Sequence, residues 1–398
     1  MAGPECVRCG TCTAVCPVYR LTGQEGHSAR GKMLVLAQGL AERPGPALAE
    51  ILGRCLMCGA CAAVCPRQLP LLDIFAAARG GMPPDAGTRP GRRRLLRRLL
   101  SSPRVLELLA GLGLGLARLE LLPVDSGLWR RLGLPPIAEA SAVVPQESFP
   151  SSPAVAGDSC QLFAGCLARY LQPEITQASR VLAARAGIAL ADLDGQGCCG
   201  LAAWSAGDLE EARRLARQNI ALYRELPGAI LTPCASCQVQ LLRYGALLAD
   251  DPLWAEDAAR FSARVRGLFD QFPSSPRPSP AGGRGESVVP VYFHLSCHLR
   301  HQPGLAEGPR RALGQVPGLR LVHPGGPDLC CGQGGLFQQA YPELSRSIFA
   351  PLYQQVVDAG TLQVVTSCSG CLLQWQTELA GRDSGIKALH LAVFLAQA

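Results

Sequence analysis

Two stretches of the sequence each carry four thiols within eleven residues and end on proline: CVRCGTCTAVCP at residues 6–17 and CLMCGACAAVCP at residues 55–66. Thiolates are soft donors, and three cysteines spaced by two let one short loop wrap a single metal centre. A fourth cysteine beyond them points away and ligates a neighbouring centre, so two such stretches complete each other. The spacing predicts two 4Fe-4S cubanes. One takes Cys6, Cys9, Cys12 and Cys65; the other takes Cys55, Cys58, Cys61 and Cys16. Gly10 and Gly59 would let the backbone approach each cluster, and Pro17 and Pro66 would break the chain after the last ligand. The competing reading is structural zinc, whose four-cysteine sites usually come from two separated CxxC pairs.

Ten further cysteines form a repeat. Cys166, Cys198, Cys199, Cys234 and Cys237 are matched in order by Cys297, Cys330, Cys331, Cys368 and Cys371, at offsets of 131, 132, 132, 134 and 134. The adjacent pair is followed by glycine in both copies, CCGLAAW and CCGQGGLF. Adjacent thiols cannot both face one ordinary cubane without unusual geometry. Five thiolates from three loops can surround a larger or more open iron-sulfur cluster, with Gly200 and Gly332 relieving crowding beside it. A buried redox disulfide or a zinc site is the alternative for each copy. Cys160 has no counterpart in the second copy and reads as a buried structural thiol. His294 and His298 flank Cys297; they could donate hydrogen bonds to cluster sulfurs or serve a proton-coupled step, or be ordinary satisfied histidines. His27, His301, His323 and His390 carry no motif.

The two short stretches have the bacterial ferredoxin signature, and the five-cysteine copies resemble the cysteine-rich CCG domains of heterodisulfide reductase subunits B and D. That resemblance implies a non-cubane iron-sulfur cluster in each set of five. The order, a double ferredoxin followed by two CCG domains, resembles the iron-sulfur subunits of glycolate oxidase, D-lactate dehydrogenase and anaerobic glycerol-3-phosphate dehydrogenase over essentially the whole chain. CPVYRLTGQEGHSARGKM is similar to the segment after the first ferredoxin block in those subunits, and RRLLSSPRVLELLAGLG and LLADDPLWAEDAARFSARV are most similar to glycolate oxidase iron-sulfur subunits. The chain departs from that pattern at HLSCHLRH, where the family commonly reads HDPCH: Leu295 and Ser296 replace Asp and Pro, while His294 and His298 remain. CSGC keeps both Cys368 and Cys371, where glycolate oxidase subunits often have one cysteine, which draws the second copy toward the heterodisulfide reductase kind. Five residues precede Cys6, where relatives carry an extension.

The elements that must position these thiols are visible in outline. GHSARGKMLVLAQGLAE, between the first two stretches, reads as a helix capped by Ser28. Each copy of the repeat has strand-like runs, CQLFAG and AILTP in the first, VPVYFHL and LQVVTS in the second. An amphipathic helix precedes the later run in each, DLEEARRLARQNIALYREL or PELSRSIFAPLYQQVVDAG. Strands alternating with helices imply α/β domains. FPSSPRPSPAGGRGES separates the copies as a linker. In RRRLLRRLL, Leu95, Leu96, Leu99 and Leu100 share a face opposite arginines, SSPRVLELL restarts a helix at Ser102 and Pro103, and residues 135–153 are loop-rich. The expected architecture is an α+β, ferredoxin-like N-terminal domain with largely helical surroundings over 1–80. A basic helical linker over 81–154 follows, packed on its neighbours or presenting an amphipathic surface to a membrane or partner. Two tandem α/β CCG domains complete it, over 155–271 and 288–398.

Composition narrows the class. The chain has 398 residues, 48% of them hydrophobic and 17% charged, enough for several packed domains. Nineteen cysteines cannot all pair, and MAGPECVRCG has no apolar leader, so metal in a reducing compartment is the reading. The formal charge of +7 is accounted for by residues 88–131, where ten arginines face Glu107, Glu120 and Asp125. Bound clusters would lower the total further, so a nucleic-acid partner is not implied. The longest apolar run, LLAGLGLGLA at 108–117, is well short of the roughly 18 residues that span a bilayer. No GxGxxG beside a strand and no P-loop occur, so the flavin of a hydroxy-acid oxidase would sit on another chain.

These readings converge on an electron-transfer subunit with no catalytic residues of its own. It would pass electrons from a FAD-containing 2-hydroxy-acid (glycolate- or lactate-type) dehydrogenase subunit towards quinone or another acceptor, in the cytoplasm or at the cytoplasmic face of the membrane. A heterodisulfide reductase-like disulfide or thiol reductase, catalytic at a non-cubane cluster, is the alternative. A structural or redox-sensing zinc protein is the third.

Overall fold

The computed structural model describes residues 6–39, 45–82, 159–272, 289–380 and 382–398. The arginine-rich segment, the helix restart at Ser102 and Pro103, the loop-rich stretch 135–153 and the linker beyond Phe272 lie outside the described residues.

The described residues between 6 and 82 form helices and one 3-10 turn, with no strand, so the α+β expectation is not met there. Short helices Thr11–Val15 and Ala60–Ala63 start directly after Gly10 and Gly59. The anticipated helix between the cysteine stretches runs Ala29–Ala37, and the Ser28 hydroxyl accepts from the Gly31 N–H at 2.9 Å, the capping bond that satisfies a first-turn amide. Helices Pro46–Gly53 and Leu71–Gly80 complete this unit, burying Leu48, Leu52, Leu71 and Phe75.

Two four-stranded parallel sheets follow. In the first module the strands are β1 (Cys160–Leu162), β2 (Leu190–Asp192), β3 (Ile230–Thr232) and β4 (Val265–Gly267). In the second they are β5 (Val289–Phe293), β6 (Leu319–Val322), β7 (Gln363–Thr366) and β8 (Lys387–His390). The spatial orders are β2-β1-β3-β4 and β6-β5-β7-β8, so the cysteine repeat is a duplication of topology as well. All pairs are parallel, with Leu162 opposite Leu231 and Tyr292 opposite Val364 in the centres. Parallel strands are covered on both faces and read as apolar runs: Leu162, Ile230, Leu231, Val291, Val364 and Val365 are fully buried. Helix Leu209–Tyr223 buries Ala212, Leu215, Ala216, Asn219, Ile220 and Tyr223, a stripe of helical period, and the Tyr223 hydroxyl donates to the Leu162 carbonyl at 2.8 Å. Helix Pro342–Asp358 occupies the equivalent place in the second module.

The modules clasp each other reciprocally. Helix Leu391–Gln397, at the end of the second, packs on Pro173–Arg185 of the first, and the turn Leu268–Gln271 packs on helix Glu307–Gly314. Arg185 donates to the Leu395 and Ala396 carbonyls, and the Gln172 amide donates to Gln376 at 3.1 Å. The N-terminal unit sits on both. Val18 and Leu56 share a small apolar core with Phe337, Ala340, Tyr341 and Ile348 of the second module. Toward the first, Arg79, which donates to the Leu52, Gly53 and Cys55 carbonyls of its own unit, also donates to the Ser205 carbonyl.

Candidate functional site

The two N-terminal loops have the same backbone. Arg8 and Met57, directly before the second cysteine of each stretch, are left-handed at φ 58° and 56°, and Gly10 and Gly59 follow at 82° and 86°. A left-handed non-glycine costs roughly 1–2 kcal/mol, so the same strain at the same place in both loops marks an imposed geometry. One small cavity is lined by Cys6, Cys9, Cys12 and Cys65, another by Cys16, Cys55, Cys58 and Cys61. The chain thus brings together the interleaved sets expected from the spacing. The first lies at the surface, with Cys9 and Val7 exposed; the Thr11 hydroxyl, 3.4 Å from Cys9 Sγ, holds that thiol below its ordinary range. The thiols of the second are half-buried, and burial pushes Cys61 and Cys16 up.

The ten cysteines of the modules line one further cavity, of ≈ 200 Å³, which also includes Cys58 and Leu56. Thiol contacts run through the first set in the order Cys166, Cys198, Cys199, Cys237, Cys234. They cross from Cys234 to Cys368, and continue through Cys371, Cys331, Cys330 and Cys297. This is the same sequence of positions reversed, as a pseudo-two-fold axis between the modules requires. Hydrogen bonds from the neighbouring thiols Cys166 and Cys199 hold Cys198 low, and those from Cys297 and Cys331 hold Cys330 low. Their neighbours Cys166 and Cys297 are pushed up by the same contacts. Cys58 is pushed up by burial and then by the nearness of Cys330, which places the second N-terminal set against the second module.

Local structure explains how the thiols converge. Cys166 and Cys297 are the first residues of helices, and Cys16, Cys234 and Cys368 are N-caps, where the helix dipole favours thiolate. The amides of Gly200 and Gly332 lie 3.4 Å from Cys198 Sγ and Cys330 Sγ. These glycines are left-handed at φ 87° and 85°. The crowding they relieve is at helix backbone: a Cβ at Gly332 would come within 2.6 Å of the Ser345 carbonyl. At Gly165 it would come 2.8 Å from Cys237 Sγ. In the first module the Asn219 amide donates to the Cys198 carbonyl at 3.0 Å and the Tyr244 hydroxyl to the Cys199 carbonyl at 2.9 Å, fixing the adjacent pair.

The eighteen motif cysteines are all free thiols. Five thiolates packed in apolar surroundings repel one another and need a multiply charged cationic centre, so the donor sets fit iron-sulfur cores. Cys160, the nineteenth, is buried in β1, away from these cavities. His294 is buried, its ring within 4.8 Å of the thiols of Cys331 and Cys371, and burial pushes its pKa down to about 4. His298 Nδ1 lies 2.9 Å from the Ser236 hydroxyl.

Two features carried no motif. Lys32 is 1% exposed, its Nζ donates to the His27 carbonyl, and its charge is felt at Cys16, Cys55 and Cys61. Burial pulls its pKa down and those thiols oppose the shift. Its only signal in the sequence was a lysine on the otherwise small and apolar face of a capped helix. Arg243 stacks over Trp204, 3.9 Å from the ring centroid, and pairs with Asp73 of the N-terminal unit at 3.5 Å.

Comparison with known proteins supplies the family. The 4Fe-4S dicluster domain matches residues 4–69, and the cysteine-rich domain CCG matches 160–242 and again 291–376. The "Probable glycolate oxidase iron-sulfur subunit" of Bacillus subtilis is 28% identical, over 99% of this chain and 93% of that protein. "Lactate utilization protein A" of the same organism is 26% identical, over 59% of this chain and 97% of that protein; that of Exiguobacterium is 27% identical, over 59% and 95%. An N-terminal dicluster domain and a duplicated cysteine-rich domain in one chain, aligned end to end with such a subunit, make this an iron-sulfur protein and a homologue of the glycolate oxidase iron-sulfur subunit.

Proposed function

We propose that the chain is the electron-transfer subunit of a 2-hydroxy-acid dehydrogenase, taking electrons from a FAD-containing partner subunit and passing them towards quinone or another acceptor. Clusters bound at the four cysteine sets would each accept and release electrons one at a time; two are cubanes in this reading and two are non-cubane clusters at the modules. The observation that carries it is the adjacency of the sets. Cys9 opens the first set to the surface, and Cys58 of the second lines the same cavity as Cys297 and Cys330. The protein's part is to hold those thiols in order from surface to interior, exclude water from the inner sets, and keep rearrangement small on a change of charge. Among the described residues no helix is long and apolar enough to cross a membrane.

The test is anaerobic purification of the chain alone and with its flavoprotein partner. Reduction of the iron-sulfur signals by partner plus hydroxy acid, with no dehydrogenase activity in the isolated chain, is the expected result. Activity in the isolated chain, or no reduction through the partner, overturns the proposal.

A second reading, a disulfide or thiol reductase, rests on one observation: both five-cysteine sets face a single cavity with His298 on its wall. Added disulfides should then change the EPR signal of the module clusters, and C330S or C331S should abolish turnover while the N-terminal clusters stay reducible. Absence of any spectral change discards it.

A further inference from the structure

The two modules share topology and cysteine order but differ in what surrounds the thiols. His294 stands three residues before Cys297; the residue three before Cys166 is Phe163. Both are buried, at 1% and 0% exposure, and both lie at the end of the first strand of their module. The positions are spatially equivalent. In the ladder, the Phe163 amide donates to the Leu231 carbonyl and the His294 amide to the Val365 carbonyl, both at 2.8 Å and each acceptor three residues before the first cysteine of the CxxC pair, and the His294 ring lies within 4.8 Å of Cys371, the counterpart of Cys237. Ser369, which lines the cavity with a buried hydroxyl, corresponds to Ala235, and Trp375 corresponds to Leu241.

Neither ring nitrogen of His294 has a hydrogen-bond partner among the described residues. The ring is held edge-on to Trp375, with centroids 6.0 Å apart, and 6.4 Å from Tyr292. A buried donor left without a partner destabilises the fold, and the same packing need is met with phenylalanine in the first module. An imidazole fixed in that position is accounted for by an acceptor that the thiols and a bound cluster would supply. Hydrogen bonds to cluster sulfur stabilise the more negative, reduced form and raise the potential.

We propose that His294 is a positioning residue that donates its ring N–H to a sulfur at the Cys331 and Cys371 edge of the second module, and so makes this cluster site higher in potential than that of the first. The inference rests on the reading above that the second set holds an iron-sulfur cluster. Its consequence is directional. Electrons arriving from the Cys58 set meet the second module first and are retained there in preference to the first.

The test is an EPR-monitored redox titration of the full, cluster-loaded chain, with iron and sulfide content measured in parallel and signals assigned by C371S and C237S. H294F copies the residue the fold already carries at Phe163. It should lower the potential of the second-module cluster with iron content unchanged and the other signals in place. H294Q, which keeps an N–H donor, should restore most of the shift, and the reciprocal F163H should raise the first-module potential. An unshifted potential in a fully loaded H294F overturns the proposal. So does loss of iron from the second module in H294F, which would make His294 a ligand instead. A C371S spectrum that keeps every signal of the wild type defeats the underlying cluster reading, which separates that failure from failure of the His294 proposal.

Discussion

Ser236 Oγ of the first module lies 3.0 Å from Cys368 Sγ of the second and 2.9 Å from His298 Nδ1, so one hydroxyl ties the two cysteine sets together across the pseudo-two-fold axis. One residue before it, the Ala235 amide donates to the Ser367 carbonyl at 2.8 Å, which fixes the two loops in register. S236A removes the hydroxyl and leaves the backbone bond. It should cost about 1 kcal/mol of stability, a neutral hydrogen bond's net worth, and lower the potential of the second-module cluster more than that of the first. Thermal unfolding and redox titration of the same preparation check both.

Lys32 is a buried cation beside the second N-terminal set, with Cys16, Cys55 and Cys61 as its negative partners. Removing one member of a buried pair leaves the other uncompensated, at a cost on the order of 3 kcal/mol. K32M should therefore reduce iron loading of that set or, where loading survives, shift its potential downward. The first set, around exposed Cys9, should be unaffected. Iron content and EPR titration distinguish the two sets; equal effects on both would contradict the assignment.

Gly207 is left-handed at φ 86°, and a Cβ there would come within 2.5 Å of both Arg79 Cβ and the Gly80 amide. Arg79 in turn supports the Cys55 carbonyl at 2.7 Å. G207A should destabilise the protein by about 1–2 kcal/mol from conformation alone. It should also loosen the N-terminal unit from the first module, seen as faster proteolysis between the two and as slower transfer to the module clusters. Unchanged proteolysis would mean that this contact does not hold the units together.

Glu174, in the first turn of helix Pro173–Arg185, has its pKa raised by burial to about 7. The folded state therefore favours the protonated acid. Stability from this group is fully present below about pH 4.5, the ordinary value, and is lost as pH rises through 7. E174Q should remove that dependence, so the wild type should lose melting temperature relative to E174Q between pH 5 and 7. Parallel curves would show that Glu174 is solvated in the working protein.

What could be read from sequence follows from how local each feature is. The five-cysteine offsets located the duplication because ligand order is covalent. The central strands β1, β3, β5 and β7 were readable because strands buried on both faces become short apolar runs. The edge strands were not. Leu190–Asp192 and Val265–Gly267 are three residues each with a charge inside, and only pairing to β1 and β3 makes them strands. The placement of Cys58 beside Cys330 was illegible because it depends on Leu56 packing against Gly334 and Phe337, some 280 residues away. The inequivalence of the modules was half legible: His294 stood out beside Cys297, but its meaning came only when Phe163 proved to occupy the same place.

The interleaving of the N-terminal sets predicts opposite phenotypes for two cysteines that look alike in sequence. Cys16 and Cys65 each end a stretch before a proline, yet Cys16 lines the cavity of Cys55, Cys58 and Cys61, and Cys65 the one that holds exposed Cys9. C16S should alter the signal of the cluster beside Cys58, and C65S that of the cluster beside Cys9. A soluble paramagnetic relaxing agent separates the two, because it broadens the cluster near exposed Cys9 far more than the one near Cys58. The signal lost in C65S should be the agent-sensitive one and the signal lost in C16S the protected one. The reverse pattern would mean that each stretch closes its own cluster.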